Sequence, residues 1–216
     1  MTQSSTNGSG RAPRSLAKSA ATRRRVLDAA AHVLVNNGYA GTRLSDIAAE
    51  AGLQAGSLYY HFDSKEQLVE EVLRYGVQFT HAHVRVVIDQ LPDSATAGQR
   101  LSAAIGGFLE AIMELRYMSP AYLRSYRQLP EDMRERLRPT RRSFGKFWEE
   151  LVDAAIASGE VRTDIDPYTL RLFIVHTLEQ IPEWPDSAQR SAQEMSDMMR
   201  KLIFDGVAGP DTNESR

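Results

Sequence analysis

The chain has 216 residues, 42% of them hydrophobic and 25% charged, which suits one large globular domain or two unequal ones. It contains no cysteine, which excludes a disulfide framework, thiolate zinc sites and a cysteine nucleophile, and no apolar run approaches the ~18–20 residues of a membrane span. The net charge is −2, yet residues 1–65 hold eight Lys/Arg against four acids while the remainder holds 18 against 24; that basic end implies either a polyanion partner or a tail that only solubilises.

Residues 1–20 are rich in Ser, Gly and Ala with no acids, too polar to bury a core, and are predicted to form a flexible basic arm. From about Thr22 the pattern turns helical, with Val26, Ala29, Ala30, Val33 and Leu34 at three- and four-residue spacing. Gly38 is predicted to end that helix as a C′ glycine. Thr42 is predicted to cap a short helix carrying Leu44, Ile47 and Ala48 on one face. Ala51-Gly52 breaks it, and a third helix covers about Ala55–His61. Ser64, with Gln67 three residues on, reads as a capping box opening a long helix that runs through Leu68, Val72, Tyr75, Phe79, Val86 and Val87 to Leu91-Pro92.

Only helices are predicted beyond that point. One spans about Ala97–Leu115, with Leu101, Ile105, Phe108, Leu109 and Ile112 inward, and a short one spans Pro120–Leu129. Another spans Pro139–Ser158, with room for a helical turn before it. One starts at Asp166-Pro167, a capping acid followed by proline at the first helical position, and ends before Pro182. The last covers about Ser191–Phe204, opened by Ser191 and Glu194 as a second capping box. No stretch alternates with period two long enough for a strand, so the fold class is all-α.

Two short helices around a glycine-containing turn, behind a longer first helix, form a three-helix unit of the helix-turn-helix kind. Within it runs Thr42-Arg43-Leu44-Ser45-Asp46-Ile47-Ala48, then Ala51-Gly52-Leu53, then Gly56-Ser57-Leu58-Tyr59-Tyr60-His61-Phe62-Asp63-Ser64-Lys65-Glu66-Gln67-Leu68. This string resembles the signature of the TetR family of transcriptional regulators over about residues 22–70. Arg43 stands where that family often has a second threonine, and Ser45 where it often has an arginine.

The spacing gives the unit a physical sense of its own. Leu58 and Phe62 are four apart on one face, suited to packing on the first helix, and Gly56 lets backbone approach a groove closely. Lys65 adds its charge to the positive end of the long helix, a place for a phosphate. The expected DNA contacts are Thr42, Lys65, Tyr59 and His61 to phosphates, Gln54, Ala55, Ser57 and Tyr60 to base edges, and Arg43 at the groove entrance. Tyr59 read as a core aromatic and His61 as a plain surface histidine are the competing readings. The arm residues Arg11, Arg14 and Lys18 are read either as reaching an adjacent minor groove or as a solvated tail.

The resemblance implies the rest: a double-stranded, palindromic operator bound by a homodimer, and a small-molecule effector in the C-terminal helices. It implies domains at 21–68 for DNA binding and 69–208 for ligand and dimer, with 209–216 a disordered tail. The dimer helices would be about 166–181, lined by Leu170, Phe173, Ile174, Thr177, Leu178 and Ile181, and 191–206, lined by Met195, Met198, Met199, Leu202 and Ile203; the stripes by themselves read as an intramolecular core, and the resemblance favours the dimer. The expected ligand-binding residues are Tyr75, Phe79, Phe108, Tyr122, Tyr126, Phe147, Trp148, Phe173 and His176, with Arg127 and Glu179 further polar candidates. The basic run Arg134, Arg136, Arg138, Arg141 and Arg142 reads either as a solvated surface paired with Glu131, Asp132 and Glu135, or as the mouth of a site for a phosphate-bearing ligand such as an acyl-CoA thioester.

The chain lacks the marks of an enzyme. It has no Gly-x-Gly-x-x-Gly, no Walker loop, no Gly-x-Ser-x-Gly and no Glu-x-x-His pair, and His81 and His83 are two apart, the wrong offset for one helix face. No cofactor and no metal site are expected, and the polar, cysteine-free chain suits the cytoplasm. A helical interaction module without DNA binding is the remaining alternative.

Overall fold

The computed structural model describes residues 12–59, 61–185, 188 and 190–206. Every described element is a helix: α1 (Ala12–Gly41), α2 (Leu44–Glu50), α3 (Ala55–Tyr59), α4 (Lys65–Asp89), α5 (Ala97–Glu114), α6 (Met118–Ser125), α7 (Glu131–Ala157), α8 (Pro167–Gln180) and α9 (Ala192–Arg200). Short 3-10 turns at Tyr126–Gln128 and Ile181–Glu183 extend α6 and α8, and a π-helical turn at Lys201–Asp205 extends α9.

Local chemistry explains most boundaries. Gly38 takes φ +66°, open to glycine but costly for a side chain, and there the regular helix of α1 ends. Ser64 Oγ accepts from Gln67 N at 3.1 Å at the start of α4. Gln67 Oε1 takes the amide of Asp63 at 2.7 Å, so the predicted capping box is shifted by one residue. Thr96 with Gln99 and Ser191 with Glu194 form complete capping boxes on α5 and α9. Asp166 caps α8 ahead of Pro167.

Three expectations about elements are corrected. Helix α1 starts at Ala12, ten residues before the predicted onset; Pro13 in its first turn and an alanine-rich run favour helix there. Helix α7 runs unbroken through Pro139. Glu135, whose carbonyl loses its donor there, and Pro139 are both exposed, so water meets that group and the interruption is tolerated. Thr42 does not cap α2: Arg43 occupies the cap position without a side-chain bond, and the Thr42 hydroxyl donates to Gly38 O at 2.6 Å.

Two cores organise the packing. The first joins the inner faces of α1, α2 and α3 (Val26, Leu34, Ile47, Leu58, Phe62) to the start of α4 (Leu68, Val72) and to α6 and the start of α7 (Ala121, Met133, Leu137). The second lies between α5, α7, α8 and α9 around Leu101, Ile105, Trp148, Ile174 and Met195, with Val84 and Ile88 from the far end of α4. Val86, near the far end of α4, is 54% exposed. Helices α4 and α5 approach closely at Gly107, where a Cβ would stand 3.0 Å from Val87 Cγ2 and 3.4 Å from Val84 Cα.

Candidate nucleic-acid interface and ligand cavity

The head is built so that α3 shows one face to solvent. Leu58 and Phe62 are 0% and 1% exposed, locking α3 and its following turn against the first core. Tyr59 between them is 59% exposed. Gly56 and Ser57 on the same element, and Gln54 just before it, are exposed, and a Cβ at Gly56 would meet nothing within 4 Å. The turn before α3 is made by Gly52 at φ +64°. Arg43, at the entrance of α2, is exposed.

The turn between α1 and α2 is held from three sides. Thr42 binds Gly38 O from within, and Lys65 Nζ donates to Tyr39 O at 3.2 Å with its charge 4.5 Å from the Tyr39 ring centre. From the body, Gln128 Oε1 accepts from Tyr39 N at 3.0 Å and Ala40 N at 3.5 Å.

A cavity of about 140 Å³, partly open to solvent, lies in the body. Helix α4 supplies Leu73, Val77 and Thr80; α5 supplies Phe108 and Ile112; α6 supplies Met118, Ser119, Tyr122 and Leu123. Helices α7 and α8 close it with Arg141, Phe144, Arg171, Val175, His176 and Glu179. The walls are mostly apolar, as small-molecule sites generally are. Arg141 stays open to solvent at the rim, its guanidinium 5.1 Å from the Tyr122 ring centre and 4.8 Å from that of Tyr126. Arg141 and Arg171 form no ion pair among the described residues, while Glu179 Oε2 bonds His176 Nδ1 at 3.1 Å. Two guanidiniums against one carboxylate leave the cavity cationic. Burial pushes the Tyr122 phenol well above its ordinary value, with the neighbouring Arg141 guanidinium opposing that shift.

Comparison with known proteins matches residues 26–72 to the bacterial regulatory proteins of the tetR family and residues 94–207 to the tetracyclin repressor-like C-terminal domain. The chain belongs to the TetR family. It is 28% identical over 199 residues to the HTH-type transcriptional repressor KstR2 of Mycolicibacterium smegmatis, covering 91% of this chain and 95% of that protein. It is 22% identical over 185 residues to the fatty acid metabolism regulator protein of Bacillus subtilis, covering 84% and 93%. The solved structure of the ketosteroid transcriptional regulator KstR2 of Mycobacterium tuberculosis superposes with TM-score 0.73 at 26% identity, covering 87% of this chain and 95% of that one. AibR in complex with isovaleryl coenzyme A and operator DNA shares the fold, with TM-score 0.71 at 23% identity over 85% and 98% of the two chains.

Within this TetR-family frame the expected DNA-facing residues separate. Arg43 before α2, Gln54 before α3, and Ser57 and Tyr59 on α3 are exposed, Ala55 opens α3, and His61 is half-buried just after it. Tyr60 lies outside the described residues, as do Arg11 and the tail 209–216. Thr42 is 2% exposed with its hydroxyl committed inward, so its side chain is not presented to a phosphate. The Lys65 ammonium is turned toward Tyr39.

The expected ligand residues separate as well. Phe108, Tyr122 and His176 line the cavity, and Glu179 lines it too. Tyr126 stands one layer back, stacked on Tyr122 at 5.1 Å. Tyr75 and Phe79 turn to Arg24, which donates to Tyr75 Oη at 2.9 Å and lies over both rings. Phe147 packs on His81, and Trp148 is wholly inside the second core. Phe173 is 56% exposed on the outer face of α8. Aromatic type alone could not tell these faces apart. Arg171, Gly76 and Gly145 carried no sequence signal for the cavity; Arg141 did, as part of the basic run. Three other members of that run form ion pairs: Arg134 and Arg138 with Glu131, Arg138 with Glu135, and Arg136 with Glu70 and Asp132.

Among the described residues no helix is long and apolar enough to cross a membrane.

Proposed function

We propose that this protein is a ligand-responsive transcriptional repressor of the cytoplasm, without catalytic activity, that binds a palindromic operator as a homodimer and releases it when a small, largely apolar molecule fills the body cavity. The observation that carries the reading is the path of α4. Its first turns belong to the head's core through Leu68 and Val72, and its middle forms a cavity wall through Leu73, Val77 and Thr80. One rigid element thus touches both the DNA-facing unit and the ligand space, and a ligand acts through its differential affinity for the two placements of that element.

The head, residues 21–68, takes the operator. Arg43, Gln54, Ser57 and Tyr59 are the contacts best supported by exposure, with Ala55, Tyr60 and His61 beside them, while Thr42 and Lys65 set the frame that aims them. Phosphate contacts would position the head and base contacts would specify the site. The body, residues 69–208, takes effector and partner. Tyr168, Phe173, Met198 and Leu202, 61%, 56%, 41% and 39% exposed, support pairing through α8 and α9. Such large apolar groups shown together mark an association surface. A two-fold dimer would read half-sites about 34–36 Å apart.

For the effector, apolar walls with Arg141 and Arg171 at hand favour an apolar body with an anionic group. An acyl-CoA thioester has this character, its acyl chain inside and its phosphates toward the guanidiniums. The AibR complex with isovaleryl coenzyme A supports the class.

The test is a gel shift and footprint on the DNA flanking the protein's own gene. We expect a protected palindrome, affinity falling steeply between 50 and 200 mM salt, and release by acyl-CoA thioesters of graded chain length. Failure to retard any flanking fragment at low salt would leave the helical interaction module as the better reading.

A further inference from the structure

We infer that Gln128 is the residue that couples the rim of the body cavity to the DNA-facing head, a step that rests on the regulatory reading above. Three features meet in the segment Tyr122–Gln128. At one end Tyr122 lines the cavity, Tyr126 stacks on it with ring centres 5.1 Å apart and planes 16° off parallel, and the Arg141 guanidinium covers both rings. At the other end, one 3-10 turn away, Gln128 reaches out of the body to the turn between α1 and α2. Its Oε1 accepts the amides of Tyr39 and Ala40, and its Nε2 donates to Arg124 O at 3.1 Å, which fixes the amide plane.

The fit on the head side is close. A Cβ at Gly38 would stand 2.9 Å from Gln128 Oε1 and 3.1 Å from Nε2, so the glycine opens the space that the glutamine fills. Beyond the break at Gly38, the Tyr39 amide finds an acceptor in the body. The same turn leads into α2 through Thr42, and its Tyr39 carbonyl holds Lys65 at the start of α4. A shift of the 3-10 turn therefore reaches the entrance of α2 directly, by a route separate from α4. A group at the rim that draws Arg141 off the two tyrosines would loosen the stack, and with it the hold of Gln128 on residues 39 and 40.

Amide hydrogen exchange on the full-length, DNA-free protein tests this without knowledge of effector or operator. Gln128→Ala should speed exchange at Tyr39 and Ala40 about tenfold, the size expected for one lost hydrogen bond. Gln128→Glu, which keeps the acceptor, should retain most of the protection at Tyr39. Tyr126→Leu should speed the same two amides several-fold, and so should Arg141→Met, an exposed change on α7 that serves should Tyr126→Leu fail to fold. Neither change should add to Gln128→Ala when combined with it. Wild-type exchange at residues 39 and 40 in Gln128→Ala, or in Arg141→Met, would overturn the inference, as would full additivity of the double variants. A failed operator search would leave these rates untouched, so the two readings can fail separately.

Discussion

The Lys65 ammonium stands 3.2 Å from the Tyr39 carbonyl and 4.5 Å from the centre of the Tyr39 ring. The first residue of α4 is thereby fastened to the turn that launches α2. A charged donor on a carbonyl and a cation over a ring each contribute on the order of 1 kcal/mol at a partly exposed site. Lys65→Met should cost the head about 1–2 kcal/mol, read as a lower melting temperature of the DNA-free protein. An unchanged melting temperature would mean that the ammonium is held elsewhere in solution.

Tyr59 offers the opposite case, a large aromatic side chain left in solvent between the buried Leu58 and Phe62. Tyr59→Ala removes no core contact, so the melting temperature should stay within about 1 °C. Operator affinity should fall about 10- to 100-fold, the range of one or two good contacts, with the dimer intact by light scattering. Lost dimerisation would place Tyr59 on the wrong surface.

Leu58 holds α3 in place and is fully buried. Leu58→Ala should destabilise by about 2–5 kcal/mol, with DNA binding lost together with the folded head. Circular dichroism melts separate this from Tyr59→Ala: one variant loses structure, the other only affinity.

Glu160 ties the loop after α7 to the start of α5. Thr96 Oγ1 donates to it at 2.5 Å and Gly98 N at 2.9 Å. These bonds, the Thr96 hydroxyl first and the Gly98 amide next, hold the carboxyl below the ordinary glutamate value of 4.5. A depressed folded value stabilises above the unfolded one and is lost as pH falls through the folded value. Glu160→Gln should therefore melt lower than wild type at pH 7, and the two curves should converge as the pH falls through the depressed folded value. A constant gap across that range would remove the carboxylate from the account.

Phe173 and Leu202 lie on the outer faces of α8 and its neighbouring terminal turn. Phe173→Glu with Leu202→Glu should convert a dimer to a monomer in light scattering while the cavity core remains folded. A dimer that persists would move the interface elsewhere.

Signals carried within a few residues were the legible ones. Gly38 as a stop, Ser191 with Glu194 as a cap, and Leu58 and Phe62 as the inner face of α3 follow from backbone freedom, short-range hydrogen bonds and helical spacing. What failed depended on distant neighbours. Phe108 and Phe173 are the same residue type on helical stripes, but one faces the cavity and the other faces out. Thr42 had the right chemistry for a cap, yet the Gly38 carbonyl four residues back competed for its hydroxyl. Pro139 carried a strong breaking signal, overridden because the two cores hold α7 on both sides of it.

The contact of Gly107 with Val84 and Val87 acquires a mechanical meaning from its position. It pins α4 roughly 30 Å from Lys65, at 1.5 Å per residue, so that junction is a fulcrum and the intervening helix a lever arm. A tilt of about 5° there sweeps the opposite end through about 2.5 Å. Gly107→Ala, by wedging the fulcrum open, should bias that swing even when the cavity is empty.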